Sequence, residues 1–169
     1  MSLQENTVID EKAAIEQYLS FLIESEEFAV SILAVREIRG WEKVTPIPNS
    51  PEYVKGFINL RGKVVPIIDL RQRFNMEVKE YTDTTVVIIL NMDDTDNDES
   101  ELVGIIVDAV SEVYDIKPED IRPSPKLGGH VDAKYINGIA EIAEKNIILT
   151  DVISLLDTDE LLEATSLAS

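Results

Sequence analysis

The chain has 169 residues, a net charge of −18, no cysteine and one histidine. That length suits one compact domain, or two very small ones sharing a core, and the charge argues against nucleic acid, which needs clustered Lys and Arg. Without cysteine there is no disulfide, thiol catalysis or cysteine-ligated metal, and His130 alone supports neither a Ser–His–Asp triad nor a His-based zinc site.

Residues 1–17 read as a polar lead without the basic start and apolar block of a signal peptide. Strands are predicted at Tyr18–Ile23 and Phe28–Ile32 around Glu24-Ser25-Glu26-Glu27, with a third short one at Arg36–Trp41. Ser50–Gly56 has a capping Ser, a first-turn Pro and a closing Gly, which predict a helix of one or two turns. Phe57–Leu60 and Val64–Leu70 flank Arg61-Gly62, a two-residue hairpin turn in which Gly supplies positive φ. Pro66 lacks a donor and points to a sheet edge or a bulge. Thr84–Met92 is a β-branched run; its aliphatic stretch, Val86–Leu90, is far short of the roughly 18 residues of a membrane span. Asp93–Ser100 is too polar to bury and reads as an exposed loop. Further strands follow at Leu102–Asp108, Ser111–Tyr114, Tyr135–Ile142 and Asn146–Thr150, then a closing helix over Asp151–Leu156 and a tail over 158–169. Short strands at regular spacing predict a mainly β, barrel-type fold with no parallel sheet. A cytoplasmic protein without direct membrane insertion is the expectation.

The two halves resemble each other in order. Ala34–Ile38 matches Ala109–Val113, Pro46-Ile47-Pro48 matches Pro123-Ser124-Pro125, Phe57-Ile58-Asn59 matches Tyr135-Ile136-Asn137, and Val65–Leu70 matches Ile147–Val152. This predicts a duplication, with a first half over 18–83 and a second over 84–157. Either half is free to borrow a strand from the other's terminus. Each would be marginal alone, so the halves should share a hydrophobic interface, and a groove between them is the natural docking place for an elongated partner.

Two motifs approach known chemistry and fail. Gly56–Val64 imitates a phosphate loop, but five residues separate the glycines instead of four, and Val64 stands where the metal-binding hydroxyl belongs. Asp94, Asp96 and Asp98 imitate a calcium loop, with Glu99 at the turn glycine and Ile105 at the bidentate Glu. No cofactor and no metal are expected. Residues 36–79 hold nine basic against five acidic side chains, a basic island in an acidic chain and a candidate surface for an acidic partner. Trp41, the only tryptophan, is either an interface anchor beside this island or a packed core residue.

Pro48–Arg71, with its Asn59-Leu60-Arg61-Gly62 turn and Val65-Pro66-Ile67-Ile68-Asp69-Leu70 strand, resembles the signature of the CheW family of chemotaxis coupling proteins. Val35-Arg36-Glu37-Ile38 and Val103–Val110 are similar to the family's other two marks, and the matches span about residues 18–157. The resemblance implies two SH3-like five-stranded β-barrel subdomains packed together and a non-enzymatic adaptor. It implies two partners, the regulatory domain of the CheA histidine kinase and the cytoplasmic tip of a methyl-accepting chemoreceptor, and recruitment to membrane-associated receptor arrays. By that likeness Val35, Glu37 and Arg61 lie at or near a receptor-binding groove, with Val107 and Val110 on its other side; Gly56 and Gly62 are backbone devices. Alternatives are a regulatory domain excised from a histidine kinase and a small-ligand-binding double barrel.

Overall fold

The computed structural model describes residues 15–92, 101–123, 135–151 and residue 154. The acidic stretch Asp93–Ser100, the loop carrying His130 and most of the expected closing helix lie outside the described residues. The chain is mainly β. Hairpin β1 (Glu16–Ile23) and β2 (Glu26–Ser31) turns on Glu24-Ser25, and a 3-10 turn over Ile32–Ala34 leads into β3 (Val35–Gly40). Strands β4 (Val54–Leu60) and β5 (Lys63–Asp69) form the next hairpin, followed at once by helix α1 (Leu70–Arg73). Then come β6 (Val86–Asn91), β7 (Leu102–Val107), β8 (Ala109–Ile116), the short β9 (Ile121–Arg122), β10 (Ile136–Ile142) and β11 (Lys145–Thr150).

The helix predicted over Ser50–Gly56 does not form. Pro51 opens a single turn, closed by the Val54 amide donating to the Pro51 carbonyl at 3.0 Å, and the chain then extends into β4. Gly56 marks a bulge in the β4–β5 ladder at φ +155°, where a Cβ would stand 2.2 Å from the Thr45 carbonyl oxygen. The helix that does form, α1, starts where Asp69 Oδ1 accepts the Arg71 amide at 2.9 Å.

Two sheets result, ordered β8-β1-β2-β11-β10-β9 and β3-β6-β7-β5-β4. The correspondence between them reveals the duplication. Strands β8, β1, β2, β11 and β10 occupy the places of β3, β6, β7, β5 and β4, so each hairpin, β1–β2 and β6–β7, sits among strands of the opposite repeat. The segments 18–83 and 84–157 are therefore sequence repeats but not the two barrels, because each sheet takes strands from both sides of that division. The exchange involves a whole hairpin from each half, more than one borrowed strand. It also creates a parallel junction in each sheet, β2–β11 and β5–β7, against the expectation of none. Those junctions join segments far apart in sequence, where no short turn imposes antiparallel direction. β5 is consequently an inner strand. Pro66 is accommodated because the ladder to β7 covers only Ile67–Asp69.

Registers correct one part of the predicted repeat. The Asp69 amide donates to the Tyr53 carbonyl at 2.8 Å and the Asp151 amide to the Tyr135 carbonyl at 2.9 Å. The bulges fall at Val54/Gly56 and Ile136/Gly138. Tyr53, not Phe57, is the counterpart of Tyr135.

Both faces of the inserted hairpins are covered, which explains why β6 and β7 read as unbroken aliphatic runs. Ile88, Leu90, Val103, Ile105 and Val107 point into a core shared with Leu19, Phe21, Phe28 and Val30 of the other sheet. Their neighbours Val87, Ile89, Leu102 and Ile106 fill the interior of one barrel, while Ala29, Ile147 and Leu149 fill the other. Fully burying side chains of this kind contributes about 1.5–3 kcal/mol each, and the shared layer binds the two subdomains together.

Candidate functional site

β3 and β8 are edge strands in matching positions of the two sheets, and each begins beside the shared core. Val35 of β3 stands opposite Leu90 of β6, and Val110 of β8 stands opposite Phe21 of β1. Both valines are half-buried against the same core cluster, at matching positions of the two repeats. Val107 differs: it is 1% exposed and wholly inside that core, so it has no face to offer a partner. Its role there is packing, because β7 is an inner strand whose alternate side chains all point inward.

The Arg61-Gly62 turn has φ of +51° and +84°, the doubly positive pair of a type I′ hairpin, whose twist matches the flanking strands. It projects Arg61 outward, and Arg61 Nη2 comes within 3.7 Å of Glu37 Oε1 on β3. Glu37 Oε2 also lies 3.5 Å from Arg39 Nε. Arg61, Arg36 and Lys63 line a concavity of about 340 Å³ with Leu60 and Leu102. The basic island therefore does not form one uniform surface. These three cations form a surface hollow, whereas Arg71 and Arg73 of α1 turn inward.

Arg71 is buried, and among the described residues no other Lys or Arg is. Its Nε donates to Asp108 Oδ1 at 2.9 Å, and its two terminal nitrogens reach Asp108 and Glu24. Lys79 Nζ donates to Glu24 Oε2 at 3.1 Å. Hydrogen bonds from Arg71 and then Lys79 hold the Glu24 carboxyl below its ordinary range. Burial pushes the Tyr81 hydroxyl upward, helped by its 2.7 Å hydrogen bond to buried Asp69. Burial also raises Tyr18, to about 12, with Glu16 adding to the shift. The Arg73 guanidinium lies 4.6 Å from the Tyr53 ring and 5.4 Å from the Tyr135 ring, bridging the two equivalent tyrosines. Trp41 is half-buried against one barrel core, 4.2 Å from the Tyr81 ring, and lines a surface concavity with Lys55 and Lys79. Sequence reasoning missed Arg71, Asp108 and Glu24 as a group; a cation ending the signature stretch was the available signal.

The described residues hold no cluster of three or more His, Asp or Glu able to hold a metal, and no helix long and apolar enough to cross a membrane. His130 and Asp94–Asp98 lie outside them.

The profile of the CheW-like domain matches residues 17–165. This chain belongs to the CheW family. It is 40% identical over 146 residues to the chemotaxis protein CheW of Klebsiella aerogenes, covering 86% of this chain and 84% of that protein. It is 37% identical over 144 residues to the chemotaxis protein CheW of Rhizobium meliloti, covering 85% and 89%. The crystal structure of scaffolding protein TtCheW from Thermoanaerobacter tengcongensis superposes with a TM-score of 0.75 at 31% identity, over 85% of this chain and 93% of that one. CheW membership makes the fold two packed SH3-like subdomains of a chemotaxis scaffold, here with five strands in one sheet and six in the other. The sixth strand is the two-residue β9.

Proposed function

We propose that this chain couples chemoreceptors to the CheA histidine kinase, acting as a cytoplasmic adaptor at membrane-associated receptor arrays and catalysing nothing itself. The receptor's helical cytoplasmic tip docks along the seam flanked by Val35 and Val110, with Glu37 and Arg61 supplying polar contacts at one end. The CheA regulatory domain binds elsewhere on the subdomains. The observation that carries this reading is that two half-buried valines from matching repeat positions pack against one shared core, and that an exposed arginine ion-pairs with Glu37 on the strand that carries Val35. Exposed apolar edges rimmed by polar groups suit an elongated helical partner.

The test is a titration of the purified chain with a receptor cytoplasmic-tip hairpin and, separately, with the CheA regulatory domain. Saturable binding to both, and a ternary complex on mixing, is the expected result. Binding to neither partner refutes the proposal.

A further inference from the structure

The two valines that border the seam are held in place by different means. At the β2–β3 corner the chain makes a 3-10 turn over Ile32–Ala34, capped by Ser31, and its middle residue Leu33 is 83% exposed. In the repeat register the position matching Leu33 is Asp108, just as Val35 matches Val110. There the chain passes from β7 to β8 through Asp108 alone, with no helical turn to stiffen it. Side-chain bonds replace that turn. The Asp108 amide donates to the Leu22 carbonyl at 3.0 Å. Its Oδ2 accepts the Glu24 amide at 2.8 Å, and both carboxylate oxygens accept from Arg71.

We propose that Arg71 is a positioning residue for partner docking: through Asp108 it fixes the β7–β8 corner and thereby sets the place of Val110 against Val35. Arg71 does not reach the seam itself. It rides on α1, which follows β5 of one sheet, and grips turns that belong to the other sheet or cross into it. A forked guanidinium suits this task, because two parallel bonds to one carboxylate fix orientation as well as distance. Its burial makes the arrangement self-enforcing, since a buried cation deprived of Asp108 would be left poorly matched. The Leu33 corner is held instead by its Ser31-capped turn and by Ile32, Ala34 and Val35 packing against the shared core, so the two walls of the seam are held by different means.

This inference rests on the proposed receptor docking, so its test has one arm independent of any partner. Arg71→Met, Arg71→Lys and Asp108→Asn are compared with the parent well below their melting temperatures. Amide hydrogen exchange is read at Glu24 and Asp108, and affinity is titrated with the receptor-tip hairpin and with the CheA regulatory domain. In Arg71→Met both amides should exchange at least tenfold faster, and receptor affinity should fall about tenfold with kinase affinity unchanged. Arg71→Lys should recover part of each loss, and combining Arg71→Met with Asp108→Asn should cost little beyond the worse single change. If Arg71→Met does not fold, the near-isosteric Asp108→Asn carries the same expectations. A loosened corner with undiminished receptor affinity, or an unchanged exchange rate, overturns the positioning role alone. A parent that binds no receptor overturns the docking and this role together.

Discussion

Reversing the charge at Arg61 separates a docking residue from a turn residue. The side chain is 78% exposed, and its one resolved ion pair, to Glu37, is 3.7 Å long. An exposed pair of this kind contributes about 0.5 kcal/mol, and in Arg61→Glu it becomes a repulsion of similar size. The backbone adds nothing, because Arg and Glu meet the same left-handed φ of +51°. The total is about 1 kcal/mol, a fall in Tm of roughly 2–4 °C for a chain of this length. With about 5 kcal/mol or more of stability to begin with, essentially every molecule stays folded. Receptor affinity should drop tenfold or more, about 1.4 kcal/mol, because the loss there comes from a repulsive charge facing the partner. Titration calorimetry against the receptor-tip hairpin and thermal melts by circular dichroism measure the two effects. The double exchange Glu37→Arg with Arg61→Glu should recover only part of the melt, because it sets a cation at position 37 against Arg39, and should not restore binding. Affinity within twofold of the parent would reduce Arg61 to a turn residue and withdraw the polar end of the groove.

Val107→Ala should lower stability by about 2 kcal/mol through an unfilled cavity in the shared core and leave receptor affinity unchanged, whereas Val110→Asp should weaken receptor binding; urea melts and titrations distinguish them, and a binding defect confined to Val107→Ala would contradict its enclosed position. Gly56→Ala should cost about 3 kcal/mol or more, since the new methyl meets a backbone oxygen at positive φ, and a loss below about 1 kcal/mol in the unfolding free energy from urea melts would show that the bulge relaxes freely. Glu24 has a depressed folded pKa, so the stability it contributes is complete above its unfolded value and is lost as pH falls through the folded one. Melting temperature followed downward from neutral pH should decline less steeply below about pH 4 in Glu24→Gln than in the parent, and identical acid limbs would deny Glu24 any part in acid unfolding.

Local signals were legible wherever a short turn decides the outcome. The Arg61-Gly62 hairpin lies where Gly and flanking alternation put it, and β6 shows in its unbroken Val and Ile run because both its faces are covered. The repeat was visible at Val35 and Val110, whose registers agree, but slipped at the next block. Phe57-Ile58-Asn59 mimics Tyr135-Ile136-Asn137 in composition, while hydrogen bonds from Asp69 and Asp151 align Tyr53 with Tyr135. The helix over Ser50–Gly56 failed because capping signals specify a start, and the glycine that seemed to close it was needed for a bulge against Thr45. Hairpin exchange left no local trace at all. Strand partners across long separations are chosen by the shared core, and either assignment of β1–β2 satisfies the same pattern of apolar residues. At the site, Arg61 and Glu37 came from a family likeness, and their ion pair came only from the structure. Val107 failed because an aliphatic at a strand end looks the same in sequence whether it faces a partner or a core.

Reciprocal exchange also sets a timetable for the growing chain. β1 and β2 leave the ribosome well before β11, yet Phe28 must pair with Ile148 of that strand. At about 5–20 residues per second, the interval between their synthesis is on the order of ten seconds. Through that time the β2 edge that pairs with Ile147–Leu149 stays open, although Phe28 can already meet Phe74 and the aliphatic side chains of β6 and β7. The β1–β2 hairpin is thus flanked on both sides only once β8 and β11 have been made, and neither half is a portable unit that could be cut out and expected to fold.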